Sequence, residues 1–431
     1  MNVFKFGGAS VKNAEAVKNV GKVIQLFKDD LTVVISAMDK TTNALEKVVD
    51  SYMNGDGKCF EYLQEVKDFH YQIMDELFGD LPEGKAGKKH PVFEEIHNTF
   101  VEIEWEIEDV PTREYDYVYD QIVSVGEIIS TKIVSAYLNH IGVNNIWVDV
   151  RNIIQTDNTH RDARVDWELT EKLAQEKLAL FCHPEPVEGR NIIITQGFIG
   201  SSSENFTTTL GREGSDFTAG ILAFCLNAKS VIIWKDVPGM LNADPKLFSD
   251  TQKLNNISYR EAIELAYYGA SVIHPKTIKP LQNKNIPLYV KSFVNPNEPG
   301  TLINENTSED SLIPSYIFKK NLVLISISVR DYSFIMEDHL SHIFGLFSQF
   351  GVRIHLMQNS AISFSVCVDN NQQKLTRLIE SLNSKYLVKF NDNVELLTIR
   401  HYDNETIAKT TQNKEILLIQ KSRNSVRMVM K

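Results

Sequence analysis

Three short stretches of this chain set charged side chains beside glycines, a combination suited to anionic ligands. "TTTLGREGSD" places Arg212 between Gly211 and Gly214, with Ser215 and Asp216 at the expected start of a helix. Ser215 reads as the N-cap, and Asp216 as a first-turn carboxylate that the helix dipole favours. A guanidinium beside the free N–H groups of a helix start suits an anionic ligand. The same residues also read as a glycine turn and a capped helix with no ligand. "KFGGASV" puts Lys5 on a strand and Gly7 and Gly8 in the turn after it. Backbone N–H groups of paired glycines can cradle phosphate, and a lysine aimed there would offset the charge of a transferring phosphoryl group. The plain alternative is a tight turn with a surface lysine. "WKDVPGMLNADPKLF" follows an apolar run with Asp236, a Pro-Gly turn and Asp244-Pro-Lys246, a loop that could hold a nucleotide or merely turn.

Weaker signals accompany these. "ISAMDKTTN" ends an apolar run with Ser36, Thr41, Thr42 and Asn43. Small hydroxyls at strand C-termini suit the ligand crevice of an open α/β sheet, and are ordinary in loops too. Glu127 sits within an apolar helical pattern of Ile122, Val125, Ile129 and Ile133. A carboxylate near a buried face needs a partner, either a ligand ammonium or a structural cation. "VDVRNIIQTD" adds Asp149, Arg151 and Asp157, none diagnostic alone.

The elements that must position these residues follow from hydropathy patterning. Residues 1–300 alternate short apolar runs with helical patterns: 2–6, 31–37, 145–150, 191–198, 230–237 and 286–293 are the runs. Buried parallel strands joined by crossover helices have this form, so an α/β domain with a mainly parallel central sheet is expected. Val17, Val20, Ile24 and Phe27 form one helical face. Leu45, Val48, Val49 and Tyr52 form another, with Asn43 and Glu46 at capping-box spacing. Residues 55–140 read as a helical insertion, and 183–190 as an exposed loop. Residues 305–315 read as a linker within a Pro-, Asn- and Ser-rich boundary. Beyond it, 316–390 follows the β-α-β-β-α-β order of a ferredoxin-like unit. Residues 391–431 resemble the first half of that unit repeated.

Composition narrows the class. The chain has 431 residues, a net charge of −11, 43% hydrophobic and 23% charged residues. These values fit a globular protein of two or three domains and argue against a general nucleic-acid or anionic-membrane surface. The four cysteines, Cys59, Cys182, Cys225 and Cys367, lie far apart with no CxxC, so neither disulfides nor a zinc site are expected. That usage suits a reducing cytoplasm. "MNVFKFGGAS" lacks a secretory signal pattern, and no apolar run is long enough to cross a membrane.

Taken in order, the motifs resemble the aspartate kinases of the amino-acid-kinase family. The resemblance rests on "KFGGASV", "VVISAM-KTTN", "VSVGE", "DVR…TD", "QGFIG", "TTTLGREGSD", "DVPGMLNADP" and "ISYREAIELAYYGASVIHPKT". It covers nearly all of 1–303, and 316–431 resembles the tandem ACT domains that follow this catalytic domain, the second apparently truncated. The resemblance implies phosphorylation of the L-aspartate side chain by ATP with Mg²⁺ carried by the nucleotide and water, and a homodimer through the ACT sheets. It implies that Arg212 holds the substrate α-carboxylate and Glu127 its ammonium. Thr42, Phe198 and Ser215 would line the pocket, with Ser36 near the phosphates. Lys5 with Asp216 would serve transfer, with Gly7 and Gly8 at the γ-phosphate. Lys235, Asp236, Asp244 and Lys246 would hold the nucleotide.

The chain also departs from the family pattern. Ala9 stands where a threonine is usual, Lys235 where a threonine is usual, and Ser271 where a lysine is common. Lys235 or Lys276 could replace that lysine. The regulatory tail has His355, Asn359 and Ala361 in place of an acid, a hydroxyl and a glutamate, which leaves Asn359 and Ser360 as possible effector contacts. The competing reading is a non-catalytic amino-acid sensor on a degenerate kinase fold.

Overall fold

The computed structural model describes residues 1–79, 90–178, 190–270, 273–331 and 333–431. Cys182, most of the loop expected at 183–190, and Ser271 lie outside the described residues. The chain divides into two compact units, one holding Met1–Met240 and most of the chain up to Thr307, the other Leu241–Leu254 and Ser308–Lys431 among its parts.

The strands of the first unit are β1 (Asn2–Phe6), β2 (Leu31–Ile35), β3 (Ile146–Val148), β4 (Gln155–Thr156), β5 (Ile192–Gln196), β6 (Ile199–Ser202), β7 (Thr207–Thr209), β8 (Val231–Lys235), β9 (Asn256–Ser258), β10 (Leu288–Ser292) and β11 (Thr301–Asn304). Eight form one sheet in the order β3-β5-β2-β1-β8-β10-β11-β9. Every pair from β3 to β10 is parallel, and β10 with β11 is antiparallel. The parallel strands are continuous apolar runs because both faces are covered. On one face Trp234 stacks on Phe6 at 5.9 Å and meets Phe4 edge-on at 5.7 Å. Val17, Val20, Ile24, Leu45, Val48 and Val49 join that core, as their helical spacing requires. Described residues between 55 and 140 form helices Cys59–Phe78, Val92–Glu108, Tyr115–Val123 and Val125–His140.

Two helix starts differ from expectation. Asn43 does not cap its helix: Thr41–Asn54 begins two residues earlier, with Lys40 at the N-cap and no side-chain cap bond. Thr41 is drawn in because its hydroxyl donates to the Met38 carbonyl at 2.6 Å. Ser215 likewise lies inside helix Gly214–Cys225, whose N-cap is Glu213 in a left-handed conformation, φ 55°. The pattern spanning Ile122 to Ile133 is two helices meeting at Ser124.

The second unit contains one six-stranded sheet, in the order β13-β14-β12-β15-β17-β16, from β12 (Ser315–Val329), β13 (Ile354–Asn359), β14 (Ser363–Asp369), β15 (Tyr386–Arg400), β16 (Ile416–Lys421) and β17 (Ser425–Met430). Helices Glu337–Gln349 and Gln372–Asn383 complete the β-α-β-β-α-β order. β12 already starts at Ser315, and residue 390, where the ferredoxin-like unit is expected to end, lies inside one continuous strand, β15. Both long strands carry irregularities, with Asn321 at φ 56° and Asn393 at φ 54°.

Candidate functional site

A cavity of about 570 Å³ opens in the first unit, lined at the ends of β1, β2 and β8 and by the start of helix Gly214–Cys225. Ligand crevices of open α/β sheets lie at the carboxyl ends of strands.

Lys5 is the fifth residue of the chain and the fourth of β1. It pairs in register with Ile233 of β8. Side chains alternate along a strand, so Lys5, Ile233 and Lys235 share the face opposite Phe4, Phe6 and Trp234. Both ammoniums converge on Asp216: Lys5 Nζ lies 2.6 Å from Oδ1 and Lys235 Nζ 3.5 Å from Oδ2. Burial alone would raise the Asp216 carboxyl, but the two lysines reverse this and hold it below the ordinary range. Asp216 is therefore a fixed anion that positions two cations.

The close approaches need glycine at particular places. A Cβ on Gly8 would lie 2.8 Å from the Asp39 carbonyl oxygen and 2.9 Å from that of Ala37, so the turns after β1 and β2 touch there. A Cβ on Gly197 would lie 2.4 Å from the Ser215 Cβ, which brings the end of β5 against the helix start. Phe198 follows at φ 70°, its N–H donating to the Thr218 hydroxyl at 3.0 Å.

Glu127 is 3% exposed and its Oε2 has no hydrogen-bond partner. Burial pushes its carboxyl up to about 8, against the opposing effects of the Ala37 N–H and the Lys5 charge. An acid that costly to bury, facing a cavity, is what a ligand ammonium would use. Arg212 lines the same cavity and is exposed. The cavity thus combines an exposed guanidinium, a buried carboxyl and a pair of ammoniums around a buried anion.

Most expected site residues meet here: Lys5, Gly8, Ser36, Thr42, Glu127, Phe198, Arg212, Ser215, Asp216 and Lys235 all line it. Thr42 and Asn43 do so because the early start of their helix leaves both side chains in its first turn. Gly7 stands just behind, with Lys5 Nζ 3.3 Å from where its Cβ would be. Asp236 is exposed and not part of the lining. Asp244 and Lys246 belong to the second unit, where Asp244 accepts the Lys246 N–H at 2.9 Å. Lys276 pairs with Asp162 at 2.5 Å instead of lining the cavity. Asp149 pairs with Arg151 at 2.7 Å, and Asp157 accepts the Thr159 and Arg164 N–H groups at 3.1 and 2.9 Å, so these acids organise their own loops. Asn359 ends β13 and Ser360 opens the exposed turn into β14, where Ser360 Oγ lies 2.7 Å from Ser363 Oγ.

Sequence reasoning missed Arg161 and Tyr119, both on the lining, and Asp120 behind them. Asp120 is wholly buried and accepts from His160, Arg161 and Thr209. The available signal was a second acid one turn after Asp116 in a helix otherwise mostly of aromatic and apolar residues, beside the buried Val118, Ile122 and Val123.

The sequence profile of the amino acid kinase family matches residues 1–292. The chain is 31% identical over 369 residues to lysine-sensitive aspartokinase 3 of Escherichia coli, covering 85% of this chain and 78% of that protein. The chain belongs to the amino acid kinase family, among the aspartokinases. It is also 32% identical over 399 residues to chloroplastic aspartokinase 1 of Arabidopsis thaliana, covering 88% of this chain and 67% of the relative. Crystal structures of E. coli aspartokinase III, one in complex with lysine and aspartate and one with aspartate and ADP, each match with a TM-score of 0.81 at 26% identity. Each match covers 100% of this chain, and 95% and 96% of the two solved chains. A mainly parallel sheet with flanking helices, followed by a ferredoxin-like α+β part, is thus the fold of this aspartokinase-family chain. Among the described residues no helix is long and apolar enough to cross a membrane.

Proposed function

We propose that this chain transfers the γ-phosphoryl group of ATP to the side-chain carboxylate of L-aspartate, giving 4-phospho-L-aspartate and ADP. This is the first step toward lysine, threonine and methionine. The observation that carries the reading is the pairing, on one cavity, of the unpartnered Glu127 oxygen and the Arg212 guanidinium with the Lys5–Asp216–Lys235 cluster. Glu127 would take the substrate ammonium and Arg212 its α-carboxylate, with Thr42, Phe198 and Ser215 shaping the pocket and Ser36 near the phosphates.

One oxygen of the substrate side chain bonds to the γ-phosphorus as the bond to the ADP bridging oxygen breaks. The attacking carboxylate is already ionised, so no proton moves and no general base is needed. Lys5 and Lys235 offset the charge that spreads over the transferring group, with the glycine turn at Gly7–Gly8 beside them. Asp216 holds both lysines and takes no proton. Among the described residues no group of three or more His, Cys, Asp or Glu could hold a metal ion. Asp216 is engaged by ammoniums and Glu127 is largely protonated at neutral pH, so Mg²⁺ would arrive on the ATP phosphates and neutralise them there. The reading assigns Asp236, Asp244 and Lys246 to the nucleotide.

It takes 1–304 as the kinase domain, 305–315 as its linker, 316–390 as an ACT-like domain and 391–431 as a partial second one. The enzyme would be cytoplasmic and homodimeric through the ACT-like sheets, with Asn359 and Ser360 as effector contacts. The test is hydroxamate formation from ATP, Mg²⁺ and L-aspartate with hydroxylamine as trap. Product with aspartate and little with glutamate is expected. A folded protein that binds aspartate without forming product would instead be a sensor.

A further inference from the structure

The turn at residues 160–162 does something the motifs do not announce. Arg161 has φ 65°, a left-handed conformation that costs a side chain energy and favours glycine. Its backbone N–H donates to Asp120 Oδ2 at 3.1 Å, and the Thr209 N–H donates to the same oxygen at 3.1 Å. The Thr209 hydroxyl donates to Oδ1 at 2.6 Å, and His160 Nδ1 lies 2.9 Å from Oδ2. One buried carboxylate therefore ties this turn to the strand that leads into Arg212. The two turns also touch directly, since a Cβ on Gly211 would lie 3.1 Å from the Arg161 carbonyl oxygen.

The side chain is equally constrained. The Arg161 guanidinium lies 4.2 Å from the Tyr119 ring centroid and 5.5 Å from that of Tyr115. Its ion pairs are loose: Glu46 at 3.3 Å and Asp116 at 3.5 Å, with all three side chains substantially exposed. Exposed pairs of this kind are weak competitors for a guanidinium. Arg161 and Arg212, from two turns packed on each other, line the same cavity.

We propose that Arg161 is a second carboxylate-binding guanidinium of the substrate pocket, acting with Arg212 to select substrates that carry a free α-carboxylate. The inference rests on the aspartate-kinase reading and adds a specificity residue to it. Backbone strain at a non-glycine residue is retained because the side chain it carries has a use at the pocket. A planar fork can share one carboxylate with a neighbouring guanidinium, which a lysine cannot do bidentately.

The experiment compares wild type, Arg161→Gly and Arg161→Gln with L-aspartate and with its α-amide as substrates. Glycine suits φ 65°, so that backbone is unstrained, and glutamine keeps the apolar stem for stacking if the glycine variant fails to fold. Both variants are expected to raise KM for aspartate by roughly tenfold or more, the effect of losing a charge-assisted contact, with kcat and KM for ATP little changed. The preference for aspartate over its α-amide should shrink by a similar factor. An unchanged aspartate KM, or an unchanged preference, in a folded variant overturns the assignment. Wild type that forms no hydroxamate would instead sink the kinase reading on which it rests.

Discussion

Glu127 makes substrate binding depend on pH in a way whose sign follows from the structure. Its carboxyl stands at about 8 in the empty cavity because burial outweighs the Ala37 N–H and the Lys5 charge. At pH 7 such a group is roughly nine-tenths neutral. An amino-acid ammonium entering beside it favours the ionised form, so binding should release close to one proton at pH 7. Ionising the carboxyl one unit below its pKa costs about 1.4 kcal/mol, so aspartate affinity should rise roughly fivefold from pH 7 to pH 8 and roughly tenfold in all. It should level off above about pH 9. Isothermal titration calorimetry in buffers of different ionisation enthalpy measures the proton count directly. The Glu127→Gln variant should bind more weakly, release no proton and show a flat profile over the same range. Wild type that binds aspartate with no proton exchange and no change in affinity between pH 6 and 8 would refute the reasoning.

The same residue predicts a stability trend. A carboxyl raised above its unfolded value contributes stability that is full below about 4.5 and lost as pH climbs through about 8. Unliganded wild type should therefore lose stability relative to Glu127→Gln by about 1.4 kcal/mol per pH unit across that window, seen by denaturant melts at several pH values. Gly197→Ala would push Ser215 and the helix start away from the cavity, because its Cβ would lie 2.4 Å from the Ser215 Cβ. A misplacement near 1 Å should cost about 100-fold in kcat/KM, measured alongside the melting temperature. Trp234→Ala removes the fully buried ring that stacks on Phe6 and should destabilise the first unit by about 3–5 kcal/mol in urea unfolding. Asp120→Ala strands buried donors of Arg161 and Thr209 and should cost at least about 3 kcal/mol, with Thr209→Ala partly masking the loss in a double-mutant cycle.

Local pattern was enough for the strands of the parallel sheet, the helical faces of Val17 to Ile24 and Leu45 to Tyr52, and the chemistry-bearing motifs around Lys5, Glu127 and Arg212. Period and residue type act over a few neighbours, and these elements obey them. Local pattern misled at two helix starts. Asn43 looked like a cap, but the Met38 carbonyl, three residues before Thr41, draws that residue into the helix. Ser215 looked like a cap because nothing nearby in sequence shows that Gly197 abuts it. Residues 391–393, at the expected boundary between two units, lie inside one strand, because β15 stays paired with β12 through its irregularity.

Sequence by itself determined which functional groups this chain possesses and the order in which its strands and helices present them. Tertiary structure alone decided which groups meet. Lys235 reaches Asp216 because β1 and β8 are parallel neighbours in register, a fact absent from either strand. Arg161 reaches the pocket of Arg212 because one buried carboxylate, Asp120, is bonded to a turn residue and a strand residue nearly fifty positions apart. Burying a charge is costly unless several donors converge on it, and convergence is a property of the packed chain.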